Sequence, residues 1–248
     1  MQRPVELRRL QLIAGLCLVG LCPLQLPAAD ATAGQTASPT VSFTLDFPES
    51  NPSHYVITLG RDGHGTYVSN GQMNQESAPA DPSSDSASST ARSTPPSAAP
   101  ANEPLDFTIS DRVRNQIFDL TERAHYFSGK VDSGRKNIAN TGTKTLLYKD
   151  GKHDGQATYN YSTSVPIEQL TTIFQGLSET LEFGRRLSFF HKYQKLALDD
   201  DLKRMEELQK GNSLGDVQAI APVLKQIADD QSVINVARAR ALRLMAGK

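Results

Sequence analysis

Five histidines are the side chains of this sequence best suited to proton transfer or metal binding: His54, His64, His125, His153 and His191. A metal centre needs two or more ligands converging from ordered elements. His64 and His153 are the pair whose context allows it. Each follows an Asp-Gly turn signal, Asp62-Gly63 or Asp150-Gly151, and each has a carboxylate close by in Asp62 or Asp154. If two hairpin tips lie side by side, a metal-assisted hydrolase is the reaction class such ligands serve. The plainer expectation is two solvent-facing turn residues. His125 stands near the end of an amphipathic run, where a helix dipole favours its protonated form. A general base there needs a nucleophile within hydrogen-bond reach, and no spacing supplies one. Nucleophile-elbow, paired-carboxylate and phosphate-cradling patterns are absent. Both cysteines, Cys17 and Cys22, fall within residues 1–31, so the rest of the sequence has no thiol. No motif implies a cofactor.

The second chemistry-bearing feature is a basic run, Arg185, Arg186, His191, Lys192 and Lys195, just before Asp199-Asp200-Asp201. Pairing within the chain is the default. A docking patch for an acidic envelope protein, made by Arg185, Arg186 and Lys192, is the sharper alternative. The aspartate triplet lacks the alternating oxygen ligands and glycine of a calcium loop, and reads as a helix start. Arg238, Arg240 and Arg243 read as a solvated face near a helix end. Asn137, Asn140, Thr141, Gly142 and Thr143 read as a turn bonding to its own backbone. Asn160-Tyr161-Ser162 forms a glycosylation sequon. With 26 basic residues against 27 acidic ones, the formal charge of −1 gives no broad attraction to nucleic acid.

Positioning these groups requires a sheet and a helix. Leu105 to Ile109 alternates apolar with polar, and then the period changes. Val113, Ile117, Leu120, Ala124 and Phe127 mark one helical face, with Ser110 as its cap and Gly129 as its stop. Val41, Phe43, Leu45 and Phe47 share one face of a strand. Tyr55 to Asn70 reads as a hairpin on a two-residue Asp62-Gly63 turn. That register pairs Leu59 with Thr66 and leaves Val56 and Tyr67 on the open face. A second hairpin, Thr143 to Tyr161 on an Asp150-Gly151 turn, places Leu146, Tyr148, Ala157, Tyr159 and Tyr161 on one face. Helical periodicity runs from Pro166 through Leu181 and on to Tyr193. Asp199–Asp201 begins another helix, with Leu202, Met205 and Leu208 inside. Ser213 is the expected cap of the next, Pro222 a restart within it, and Val233, Ala237, Ala241 and Leu244 the inner face of the last.

The ends of the sequence differ in kind. Arg3, Arg8 and Arg9, the apolar run Leu10–Leu21 and Ala29-Asp30-Ala31 follow the secretory signal pattern over 1–31. The apolar run is shorter than the ~20 residues of a spanning helix, and no later stretch is longer. Residues 32–40 read as a tether. Residues 71–103, rich in Ser, Ala and Pro, have too little to bury and are predicted to be a disordered insertion between neighbouring strands. The expected organisation is an α+β domain over 41–182 and a helical extension over 183–248.

This succession resembles a family of secreted bacterial proteins of unknown function. The features that carry it are a hairpin with the Asp62-Gly63 tip, the Phe107 strand, the helix ending in Ala124-His125-Tyr126-Phe127 and a second hairpin. The likeness covers about Phe43 to Leu181, and the insertion departs from it. Val223 to Leu244 is similar to one helical pair of a HEAT-type repeat. The expected fold is a mostly antiparallel sheet with one or two helices on one face. The expected role is an exported, periplasmic or extracellular, non-enzymatic binding or assembly module of the cell envelope. Its partner would be an envelope protein rather than nucleic acid, with no membrane span after the signal is removed. The alternatives are the hydrolase using His64 and His153, and an adaptor acting through the C-terminal helices. The open-face Tyr67 and the Arg185 region are the expected contact surfaces.

Overall fold

Alternating Val41, Phe43 and Leu45 make β1 (Thr40–Asp46), against which the rest of the sheet is laid. The computed structural model describes residues 38–71, 103–135 and 137–247. The leader expected at 1–31, nearly all of the tether at 32–40 and nearly all of the insertion at 71–103 lie outside the described residues. On one side β1 pairs with β2 (His54–Gly60), then β3 (His64–Ser69), then β4 (Leu105–Thr108). On the other it pairs with β5 (Thr143–Lys149), then β6 (Asp154–Tyr159). Every pairing is antiparallel, in the order β4-β3-β2-β1-β5-β6. β3 and β4 are direct neighbours, so the chain between them joins adjacent strands.

One sheet face is apolar and covered; the other carries Thr, Ser and Val and is open, as an antiparallel sheet permits. The covered face meets α1 (Asp111–Arg123) and α2 (Val165–Tyr193). Ser110 caps α1, accepting from the Val113 N–H at 3.5 Å. Phe174 of α2 lies 5.2 Å from Phe43 with their rings parallel to within 1°. Behind α2 stand α3 (Leu198–Lys210), α4 (Ala221–Asp229) and α5 (Asn235–Ala246), with Leu202, Met205, Leu224, Ala237 and Ala241 at 0% exposure. The α+β architecture with C-terminal helices is therefore present. The boundary expected at residue 183 falls inside α2, and the described residues form one compact unit. Among the described residues, no helix is long and apolar enough to cross a membrane.

Three local expectations are corrected. The first hairpin turns through Arg61-Asp62-Gly63, with Gly63 N–H donating to the Gly60 carbonyl at 3.0 Å and Gly63 at φ +88°. This three-residue connection shifts the register by one, so Tyr67 faces Ile57 and Gly65 faces Leu59. Tyr67 is thus wholly buried rather than open to solvent. Helix α1 stops at Arg123, and His125, Tyr126 and Phe127 turn left-handed at φ 50°, 55° and 65°. Such values cost on the order of 1–3 kcal/mol each in non-glycine residues; the turn drops Phe127 into the core at 0% exposure. Asp216, not Ser213, caps the next short turn, Val217–Ile220, by accepting from Gln218 N–H.

Candidate functional site

The two histidines of the metal reading do not meet. His64 Nδ1 lies 3.0 Å from Thr108 Oγ1, and His153 Nδ1 lies 3.0 Å from Asp150 Oδ2 with its ring stacked on Tyr126 at 4.3 Å. Between β3, which begins with His64, and β5, beside the His153 turn, lie β2 and β1. Three strand spacings amount to roughly 14 Å, too far for one ion. Among the described residues, no three His, Cys, Asp or Glu side chains are grouped to hold a metal.

The basic run is largely spent inside the molecule. Arg186 Nε donates to Asp201 at 3.1 Å, and its guanidinium lies over Phe183. Arg185 donates to Ser69 Oγ at 3.1 Å and to the Glu103 carbonyl at 2.8 Å, and covers the Tyr67 ring. Those two carbonyl and hydroxyl partners sit at the described ends of the chain on either side of residues 72–102. His191 and Lys195 both engage Asp230. Lys192 alone of the nominated residues is exposed, over the Tyr193 ring. The docking patch of Arg185, Arg186 and Lys192 is therefore not a free cationic surface. Tyr67 and Arg185 belong to one network: Tyr67 and Ser69 both donate to Glu182 Oε1, at 2.7 and 2.6 Å, and Tyr67 also pairs with Ser178. Burial, reinforced by the Glu182 charge, holds the Tyr67 phenol well above its usual range. This network clasps β3 to α2.

The free polar side chains gather along the outer side of α2. Gly176 makes this possible, because Gly215 comes against the α2 backbone there. Gly215 N–H lies 2.9 Å from the Gly176 carbonyl and 3.0 Å from Thr180 Oγ1, and a Cβ on Gly215 would stand 2.5 Å from Leu177 N. Asp216 then accepts from Ser110 N–H at 2.6 Å, fixing the loop to the start of α1. Beside this clamp a hollow of about 1070 Å³ opens between α1, α2 and the ends of α3 and α5. Its floor is Ile173, Leu208, Leu214, Val217 and Met245, each half-buried. Its walls carry the amides of Gln116, Gln175, Gln209 and Asn212. Arg112, Arg204 and Glu179 also line it, with no hydrogen bond or ion pair to any described residue.

A second hollow of about 440 Å³ adjoins it and shares Thr172 and Gln175. At its far end Lys144, 4% exposed, is surrounded by oxygen. Its ammonium donates to the carbonyls of Thr141, Gly142 and Asn160 and to Thr141 Oγ1, at 2.9 to 3.2 Å. None of these is a carboxylate, and burial pulls the ammonium pKa below the usual lysine range. The turn residues Thr141 and Gly142 thus help to cage Lys144, and Asn140 holds the turn by accepting from the Gly142 N–H at 3.0 Å. Asn160, the sequon residue, is itself engaged: its Nδ2 donates to the Ala139 carbonyl and its Oδ1 accepts from Thr141 N–H.

The α2 residues along both hollows, Glu168, Thr172, Gln175 and Glu179, recur at spacings of four, three and four, one helical stripe. Eleven helical steps give a groove of roughly 17 Å. The hydroxyls of Thr171 and Thr172 donate back to the carbonyls of Ile167 and Glu168, so neither is paired with a base. What the groove offers is apolar contact, amide hydrogen bonds and unpaired charge. Sequence reasoning missed it because its walls come from four separated segments; the one local signal was Gly176, interrupting an otherwise strong helix. No protein-family model matches the chain, and no curated protein matches it.

Proposed function

We propose that this chain is an exported, non-enzymatic binding module of the cell envelope, and that the groove along α2 is where it holds an envelope protein. The observation that carries the reading is the groove itself: an aliphatic floor beneath amides and beneath Arg112, Arg204 and Glu179, which have no ion-pair partner among the described residues. Apolar floors with a few placed polar groups are the general form of a binding cleft. Several charges elsewhere among α2, α3 and α5 are engaged with one another, as in Arg240 with Asp199 and Glu206. The leader pattern at 1–31 supports export.

A photo-crosslinking side chain at Gln175, in the waist of the groove, tests this in intact cells against one at Gln156 on the open sheet face. A dominant adduct with one envelope protein from Gln175, and none from Gln156, is expected. Equal labelling from both positions overturns the reading, as does a full-length protein retained in the cytosol. The adaptor reading keeps one observation of its own. Leu196 is 81% exposed and Tyr193 49%, at the end of α2, where the Lys195–Asp230 pair brings the α4–α5 turn and half-exposed Ile234. Adducts from Leu196 alone would favour it.

A further inference from the structure

We infer that β6 is a self-pairing edge: two copies of this chain join antiparallel through β6 across a twofold axis at Gln156, running their two six-stranded sheets into one. Such pairing goes beyond the groove reading and stands without it. The register shows which backbone groups are free. Asp150 N–H donates to the His153 carbonyl at 3.2 Å, and bonded pairs alternate from there through Tyr148–Gly155, Leu146–Ala157 and Lys144–Tyr159. The N–H and C=O groups of Asp154, Gln156 and Thr158 therefore point away from β5, along the outer edge. None of these groups bonds to a described residue. Asn160 N–H points the same way and is closed by Asp132 Oδ2 at 3.0 Å, where the open stretch ends. The opposite edge of the sheet is guarded. There β4 has 4 residues, Pro104 just before it has no N–H to offer, and outward Asp106 is charged. In β6 neither proline nor lysine interrupts the edge, and Asp154, Gln156 and Thr158 are exposed.

A second copy fits this edge by symmetry. One register uses every free group: Asp154 against Thr158 of the second copy, Gln156 against its own twin, and Thr158 against Asp154. Sliding to the next bonded register in either direction loses a third of those bonds, because Asn160 N–H is held by Asp132 and Lys152 N–H by Asp150. The side chains agree with the same register. Two Gln156 amides match donor to acceptor reciprocally. Thr158 Oγ1, 3.2 Å from Thr145 Oγ1, can accept there and donate to Asp154 of the second copy. Asp154 has Lys149 across from it in its own sheet, and the two Asp154 carboxylates stand roughly 13 Å apart. Past the paired stretch, Lys152 of each copy comes level with Asn160 of the other, and so with the Asp132 carboxylate. An ammonium thus arrives beside an anion at both ends, joining Lys130, the cation Asp132 has in its own chain. On the helix side Gly155 faces Ala157, small residues that let the backbones approach.

The test uses the full chain in sedimentation velocity, with amide exchange followed residue by residue. A single strand edge buries little, so pairing is expected to be reversible and to appear between about 1 µM and 1 mM. Over that range the sedimentation coefficient should rise from monomer to dimer. Exchange at Gln156 and Thr158 should slow, while that of Asn160, already held by Asp132, stays level. Gln156→Lys sets like charges face to face at the axis and should weaken association by about tenfold or more, as should Gln156→Glu. Mixing the two variants in equal amounts should restore the dimer, because lysine then meets glutamate. Position 156 is exposed, so neither change should move the thermal midpoint. A parent that stays monomeric up to about 1 mM overturns the pairing. Variants that associate as well as the parent overturn the edge, and weakened variants whose mixture does not recover overturn the register. In intact cells a crosslinker at Gln156 should label a second copy of this chain and no other protein, so the comparison with Gln175 is made on adducts to other proteins. A different protein captured from Gln156 overturns self-pairing; a missing Gln175 adduct sinks the groove reading and leaves self-pairing standing.

Discussion

Raising the pH above 10 should unfold this protein cooperatively, because three of its phenols are held neutral in the core. Tyr55, Tyr67 and Tyr159 are 3%, 0% and 4% exposed. Burial raises all three, Tyr159 to about 12 and the other two further. Tyr148 is raised too, by burial and by Asp150, but its hydroxyl lies beside the hairpin turn, where solvent softens the effect. A folded-state pKa above the unfolded one means stability is whole below the unfolded value, about 10, and is lost as pH rises toward the folded one. At pH 11 each phenol takes away about 1.4 kcal/mol, roughly 4 kcal/mol for three. At pH 12 the loss reaches roughly 8 kcal/mol, comparable with the whole stability of a domain. Lys144 works the other way. Burial lowers its pKa, so stability climbs with pH up to the unfolded lysine value before the phenols take over. Urea midpoints measured from pH 8 to 12 should therefore rise slightly and then fall steeply. The share of phenolate absorbance at 295 nm that belongs to the buried tyrosines should appear together with the loss of helical circular dichroism, after the share of exposed Tyr161 and Tyr193. Tyr159→Phe, which leaves Thr171 its bond to the Ile167 carbonyl, should reduce the alkaline slope by about a third. A native dichroism spectrum persisting at pH 12 would refute the burial argument.

Two further substitutions bear on the scaffold. Gly155→Ala places a Cβ 1.9 Å from the Tyr126 carbonyl oxygen, a backbone collision that only displacement of the left-handed turn relieves. It should cost roughly 3 kcal/mol in urea denaturation, and unchanged stability would show that the turn does not sit on β6. Asp230 is held well below the usual carboxylate range, first by Lys195 and then by Ser232 and its backbone. Its contribution is present above about pH 4 and fades as pH falls below that. Asp230→Asn should therefore lower the melting temperature at pH 7, with a deficit that is smaller at pH 3 and shrinks further toward pH 2; a deficit that stays constant as pH falls would assign the effect to packing.

What could be read from the sequence was what repeats along it. Apolar periods located β1, the inner face of α1, the inward residues of the second hairpin and those of α3 and α5, because each element buries one face and must spell that face locally. The first hairpin escaped because Asp62-Gly63 fits both a two-residue turn and the last two positions of a three-residue one. What selects between them lies elsewhere. The observed register turns the Tyr67 and Ser69 hydroxyls toward Ser178 and Glu182, over a hundred residues away. It also lays the Phe107 ring over Gly65, where a Cβ would stand 2.5 Å from Cζ. A one-residue slip would carry both hydroxyls to the open face and leave the half-buried Glu182 without their bonds, and losing two hydrogen bonds to a partly desolvated carboxylate costs more than a turn preference.

The same reasoning explains why the groove was invisible while its cause was not. Gly176 and Gly184 looked like weaknesses in a helix, each worth up to ~1 kcal/mol against alanine. Both are contact points. Gly176 admits Gly215, and a Cβ on Gly184 would stand 2.5 Å from Ile220 Cγ2. A glycine that lowers helix propensity at a place where the apolar stripe continues unbroken is thus a sign that another backbone or side chain arrives there. It does not say which segment arrives. The hollow that opens beside Gly215 depends on that segment, and on Asp216 reaching Ser110, so it exists only at the level of the folded chain. Propensity marked where α2 would be approached; only tertiary packing determined what stood beside the approach, and the meeting of Arg112 with Arg204 around one hollow follows from the second, not the first.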